Sequence, residues 1–82
     1  MKIEVFGPGC TRCEALEQLV AGVAASEGGN ITVEKVRDMA QMMERGIMSV
    51  PAIAIDGKLC STGRIPSKEE IAGWIRTARE AG

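Results

Sequence analysis

The chain opens on an alternation. Ile3 and Val5 fall on one side of the segment Lys2–Phe6 and Glu4 on the other, the period-2 pattern of a strand. Gly7-Pro8-Gly9 halts it. From Cys10 the period lengthens. Cys13, Leu16, Val20 and Val23 follow i, i+3, i+7, i+10, one face of a helix that Leu19 widens and Gly28-Gly29 ends. Alternation returns over Ile31–Val36, with Ile31 and Val33 on one face and Thr32, Glu34 and Val36 on the other. Asp38 is placed to cap a short helix that carries Met39, Met42 and Met43 as core filling and closes at Gly46. Ala52–Ile55 is apolar on both faces, as a central strand is. Asp56-Gly57 is a two-residue hairpin signal, so Lys58–Thr62 returns antiparallel. Ser67-Lys68-Glu69-Glu70 is a capping box behind Pro66, and it opens a last helix with Ile71, Trp74, Ile75 and Ala78 on one face.

The predicted order is β-α-β-α-β-β-α, an α/β fold. The first two strands are joined by a helix and are expected to be parallel; the last two are joined by a hairpin and are antiparallel. A four-stranded mixed sheet with helices on both faces follows. The length of 82 residues leaves room for one core, so residues 1–82 are expected to form a single domain.

Composition narrows the function classes. Phe6 and Trp74 are the aromatics, the net charge is −1, and no basic stripe or aromatic-plus-Arg platform is present, so nucleic-acid binding has no footing. The longest apolar runs fall far short of the ~20 residues that cross a bilayer. Glu4 interrupts any apolar signal core near the start, and no membrane partner is expected; the cytoplasm is the expected compartment and a monomer the expected state. The chain has 3 cysteines and no histidine. An odd, sparse count argues against a disulfide framework, and the missing histidine removes Cys–His and Ser–His–Asp catalysis and mixed Cys/His zinc sites.

What remains is Cys10-Thr11-Arg12-Cys13, at the point where the first strand turns into the first helix. Free N–H groups and the dipole at a helix start stabilise negative charge, which lowers a thiol's pKa and produces the reactive thiolate. The three-residue spacing puts both sulfurs on one face. Cys13 continues the buried stripe and is expected to point inward, with Cys10 at the tip. Cys10 then attacks a partner's disulfide and Cys13 resolves the mixed disulfide. Arg12 reads first as a solvated charge with a small favourable effect on the thiolate. Gly7 and Gly9 read as punctuation.

Three segments together resemble the thioredoxin superfamily, and most closely its short, glutaredoxin-sized members, the small redox-active disulfide proteins. They are Gly7-Pro8-Gly9-Cys10-Thr11-Arg12-Cys13, Met48-Ser49-Val50-Pro51-Ala52, and Asp56-Gly57 through Ser61-Thr62-Gly63-Arg64-Ile65-Pro66-Ser67. The resemblance implies a thioredoxin-like fold and a protein-disulfide reductase that needs no cofactor beyond the Cys10–Cys13 disulfide. It implies protein disulfide substrates and a separate reductase as partners. It also implies that Pro51 is cis and lies against the disulfide, and that the backbone of Val50 pairs with an extended substrate segment. Gly9, Thr11 and Arg12 support the cysteines. The sequence departs from the Trp-Cys-Gly-Pro-Cys of ordinary thioredoxins. Glu4 stands at the offset where those proteins bury an acid, but is read here as a solvated strand residue. Lys58 and Ser61-Thr62 are loose stand-ins for glutathione contacts. Cys60 is read as a small packing hydrophobe. The competing function is a metal-binding module in which Cys10 and Cys13 hold Cu(I) or half of a zinc site, the zinc site needing a dimer or an acidic fourth ligand to complete it.

Overall fold

The computed structural model describes residues 1–81; Gly82, the last residue of the expected domain, lies outside them. The elements come in the expected order: β1 (Lys2–Phe6), α1 (Thr11–Glu27), β2 (Thr32–Val36), α2 (Met39–Glu44), β3 (Ala52–Ile55), β4 (Lys58–Thr62) and α3 (Lys68–Ala81). The sheet runs β2-β1-β3-β4, with β1 and β2 parallel and the β1–β3 and β3–β4 pairs antiparallel. Asp56 and Gly57 take φ of 50° and 84°, the left-handed pair that a tight hairpin between twisted strands demands. The last helix is opened by the capping box: Ser67 Oγ accepts from Glu70 N–H at 3.1 Å, and Glu70 Oε1 accepts from Ser67 N–H at 3.4 Å.

Two cores follow from the strand alternation. Ile3 and Val5 of β1 and Ile53 and Ile55 of β3 face one way and are covered by Leu16, Val20 and Val23 of α1 and Ile71 and Ile75 of α3. Each such side chain contributes about 1.5–3 kcal/mol by leaving water. Phe6, Ala52 and Ala54 face the other way and meet Met42 of α2, Val36 and Ile47. The helices therefore lie on both faces, two on one and one on the other. At the far end of α1, Arg76 binds the Glu27 carboxylate through two nitrogens, and Arg79 donates to the Glu27 and Gly28 carbonyl oxygens. These cations satisfy helix-terminal acceptors and pin α3 to α1.

Two expectations about burial are corrected. Of the α2 methionines only Met42 fills the core; Met39 and Met43 are 54% and 76% exposed. A helix of six residues presents little more than one turn to the sheet, so a single side chain occupies the inner face. Glu4 is buried rather than solvated, at 8% exposure. Its two carboxylate oxygens each accept from Arg45 Nη1 at 2.8 Å, and the Arg45 guanidinium lies 4.8 Å over the Phe6 ring. A charge at an inward strand position is tolerated because this partner, at the end of α2, compensates it.

Candidate functional site

The site lies at the end of the sheet where β1 runs out. Cys10 is the N-cap of α1 with an extended backbone, and its carbonyl accepts from Glu14 N–H at 2.9 Å. Its Sγ accepts from Cys13 N–H at 3.3 Å. The helix thus points a free donor at this sulfur, an arrangement that favours its anionic form. Cys10 and Cys13 are joined as a disulfide with their Cα atoms 5.1 Å apart. Cys10 is exposed and Cys13 is fully buried, so the pair has one face toward solvent and one toward the core.

The glycines before the pair do more than punctuate. Gly7 has an ordinary backbone, but a Cβ on it would overlap Cys13 Sγ and fall 2.8 Å from Cys13 Cβ. Its missing side chain is the space that the buried cysteine fills. Gly9 has φ of 95°, a conformation that costs a side-chain-bearing residue, and the Arg37 guanidinium sits beside it. Arg37 in turn pairs with the buried Glu17 at 3.3 Å. Thr11 is exposed at the first helical position.

Residues far away in the chain meet the cysteine turn here because of strand register. Phe6, Ala52 and Thr62 form one cross-sheet row, so the residues just before Ala52 and just after Thr62 emerge beside the turn that follows Phe6. The Val50–Pro51 bond is cis, and Pro51 is buried. The Pro51 carbonyl accepts from Gly63 N–H at 2.9 Å, and the Gly63 carbonyl accepts from Arg12 Nη2 at 3.1 Å. Arg12 is therefore tethered rather than simply solvated. Among the described residues, the N–H and C=O of the half-buried Val50 make no backbone hydrogen bond. The structure thus gathers Cys10, Cys13, Gly9, Thr11 and Arg12 on one turn and links that turn to the Val50–Pro51 loop. Gly63 and Gly7 are the residues whose part was not foreseen. Gly63 belonged to one of the three matching segments, but its contacts lie across the fold and leave no local signal.

Other candidates fall away from the site. The Glu4 carboxylate is held by Arg45 on the α2 face of the sheet, opposite the face that α1 covers, so it is turned away from Cys13. Lys58 stands in the row Ile3–Ile55–Lys58, at the other end of the sheet. That is about 10 Å from Thr62 at the usual strand rise, one residue of β4 being taken up by a bulge, so Lys58 lies away from the cysteine turn. Ser61 is buried. Cys60 is the extra residue of a bulge in β4, where the register steps from Ile53–Ser61 to Ala54–Leu59. It packs partly buried against the larger core, and burial pushes its thiol pKa up. Among the described residues no cluster of three or more His, Cys, Asp or Glu side chains converges, so they offer no complete set of zinc ligands. No helix among them is long and apolar enough to cross a membrane.

Comparison with known proteins agrees with this geometry. Residues 1–76 match the family described as "Thioredoxin domain". A protein named "Thioredoxin" from Methanothermobacter thermautotrophicus is 39% identical over 71 residues, covering 87% of this chain and 92% of the relative. A "Probable Thioredoxin" of the same organism is 39% identical over 84 residues, covering 98% of each. A "Thioredoxin" of Methanocaldococcus jannaschii is 32% identical over 78 residues, covering 95% of this chain and 90% of the relative. With a paired cysteine turn at a helix start, a cis-proline loop bound beside it and a family match over nearly its whole length, the chain belongs to the thioredoxin family of thiol–disulfide oxidoreductases.

Proposed function

We propose that the chain exchanges disulfides with protein substrates, Cys10 attacking and Cys13 resolving. The observation that carries this reading is the asymmetry of the pair: an exposed cysteine at a helix N-cap, bonded to a cysteine with no exposure. In the reduced form the Cys10 thiolate attacks one sulfur of a substrate disulfide. The other substrate sulfur leaves as a thiolate and takes a proton from water. Cys13, giving up its proton, attacks Cys10 Sγ, and the second substrate sulfur departs as the Cys10–Cys13 bond forms. Two electrons pass to the substrate, and a separate reductase returns the pair to dithiol.

Val50 supports the same reading. Its unused N–H and C=O, beside the cysteine turn, suit an extended substrate segment that pairs as a short added strand. Met48 stands two residues away at 96% exposure, an adaptable apolar side chain suited to varied partners.

The test is reduction of insulin with dithiothreitol as electron source. Wild type turns the substrate over, Cys10→Ser does not, and Cys13→Ser accumulates a mixed disulfide with the substrate. Turnover that survives Cys10→Ser sinks the assignment of roles. No turnover, together with tight stoichiometric Cu(I) or zinc, replaces the reading with metal binding.

A further inference from the structure

We infer that Arg12 is a positioning residue that fastens the cysteine turn to the cis-proline loop through the backbone of Gly63; this rests on the disulfide-exchange reading above. Gly63 receives the turn on its carbonyl, from Arg12 Nη2 at 3.1 Å, and holds the loop with its amide, to the Pro51 carbonyl at 2.9 Å. One peptide segment therefore joins two parts of the site that are distant in the chain. Gly63 suits this place because its φ is 75° and a Cβ there would come within 3.1 Å of the Ser49 Cβ. Any side chain would crowd the Ser49 side chain beside the cis-proline loop.

Arg12 also differs from the other arginines. Arg37, Arg45, Arg64, Arg76 and Arg79 each pair with a glutamate. Among the described residues Arg12 has no salt bridge, and its guanidinium is directed at a backbone carbonyl instead. A guanidinium presents a rigid planar set of donors, so a bond to a carbonyl orients the turn as well as holding it.

The consequence concerns extended substrates. Such a substrate must reach Cys10 with its sulfur and Val50 with its backbone together, so the gap between them has to be held. A small disulfide needs Cys10 alone. A role for Arg12 through charge on the thiolate would instead affect both substrates equally and move the pH dependence.

The experiment uses pre-reduced full-length protein in single turnover. One substrate is a fluorescent peptide disulfide with several residues on each side; the other is 5,5′-dithiobis(nitrobenzoic acid). Arg12→Ala is expected to slow the peptide by roughly three- to tenfold, the range for one charge-assisted bond at the surface. The small disulfide should stay within about twofold of wild type, with its pH midpoint unmoved. Arg12→Lys and Arg12→Gln, which keep an N–H donor, should recover part of the peptide rate. Amide exchange at Gly63 gives a readout independent of turnover, and it should quicken in Arg12→Ala. Equal slowing of both substrates, a raised pH midpoint, or an unchanged peptide rate with unchanged Gly63 exchange overturns the inference. A wild type that reduces neither substrate overturns the proposed function instead, and Gly63 exchange then decides the tether by itself.

Discussion

Replacing Gly7 by alanine tests whether the buried cysteine is seated by an absent side chain. The added methyl would overlap Cys13 Sγ and lie 2.8 Å from Cys13 Cβ, both on a residue with no exposure. Gly7 has no positive φ, so the backbone itself accepts alanine, and the cost is steric. Overpacking of this kind costs about 1–3 kcal/mol. A domain of this size has only ~3–5 kcal/mol in total, so the substitution removes a large share of it. The midpoint of thermal unfolding should fall by about 4–8 °C for each kcal/mol lost. Urea unfolding of the reduced protein, followed by the fluorescence of the single Trp74, gives the number directly. Gly22→Ala is the control. It lies within α1 with nothing within 4 Å of the added Cβ, and should stabilise by about 0.5–1 kcal/mol. A double-mutant cycle locates the clash: in a Cys13→Ala background the sulfur is gone and the cost of Gly7→Ala should shrink. A cost that is the same in both backgrounds, or a Gly7→Ala protein within about 0.5 kcal/mol of wild type, refutes the packing argument.

Three further outcomes are expected. Arg45→Ala strands the buried Glu4 carboxylate and should cost about 2–3 kcal/mol in urea unfolding, whereas Glu4→Leu with Arg45→Met should cost much less, because no buried charge is left unpaired. Acid should destabilise the fold through Glu27 and Glu70, whose pKa values are lowered from the usual 4.5, chiefly by hydrogen bonds from Arg76 and Arg64 respectively. A depressed folded-state pKa gives stability that is present above 4.5 and lost as pH falls through the lower folded value. The urea midpoint of the Glu27→Gln/Glu70→Gln protein should therefore fall less steeply with acid than that of wild type. In the reduced protein near neutral pH, iodoacetamide should label Cys10 well before Cys60, whose thiol burial pushes up; mass spectrometry reads the order, and Cys60→Ser should leave insulin reduction intact.

Every helix and strand was legible along the chain, and the reason is local. The alternation of Ile3, Glu4 and Val5, the stripe from Cys13 to Val23, the Asp56-Gly57 turn and the Ser67–Glu70 box each span a few residues and repeat with the backbone's own period. The misreadings share a different cause. Glu4 looked solvated because its partner Arg45 is 41 residues away. Met39 and Met43 looked like core because helical spacing does not say how many turns reach the sheet.

From the sequence alone came the α/β class, the order of elements, the cysteine pair at a helix start and the exposed and buried members of that pair. Each depends on neighbours a turn or a strand apart, whose geometry the peptide bond already constrains. Only the folded chain decided which residues complete the site. The register of β1, β3 and β4 brings Gly63 to the cysteine turn, and Arg12 reaches Gly63 across 51 residues of chain. A hydrogen bond of that kind leaves no periodicity to read, because it depends on where two distant backbones come to rest and not on how either repeats.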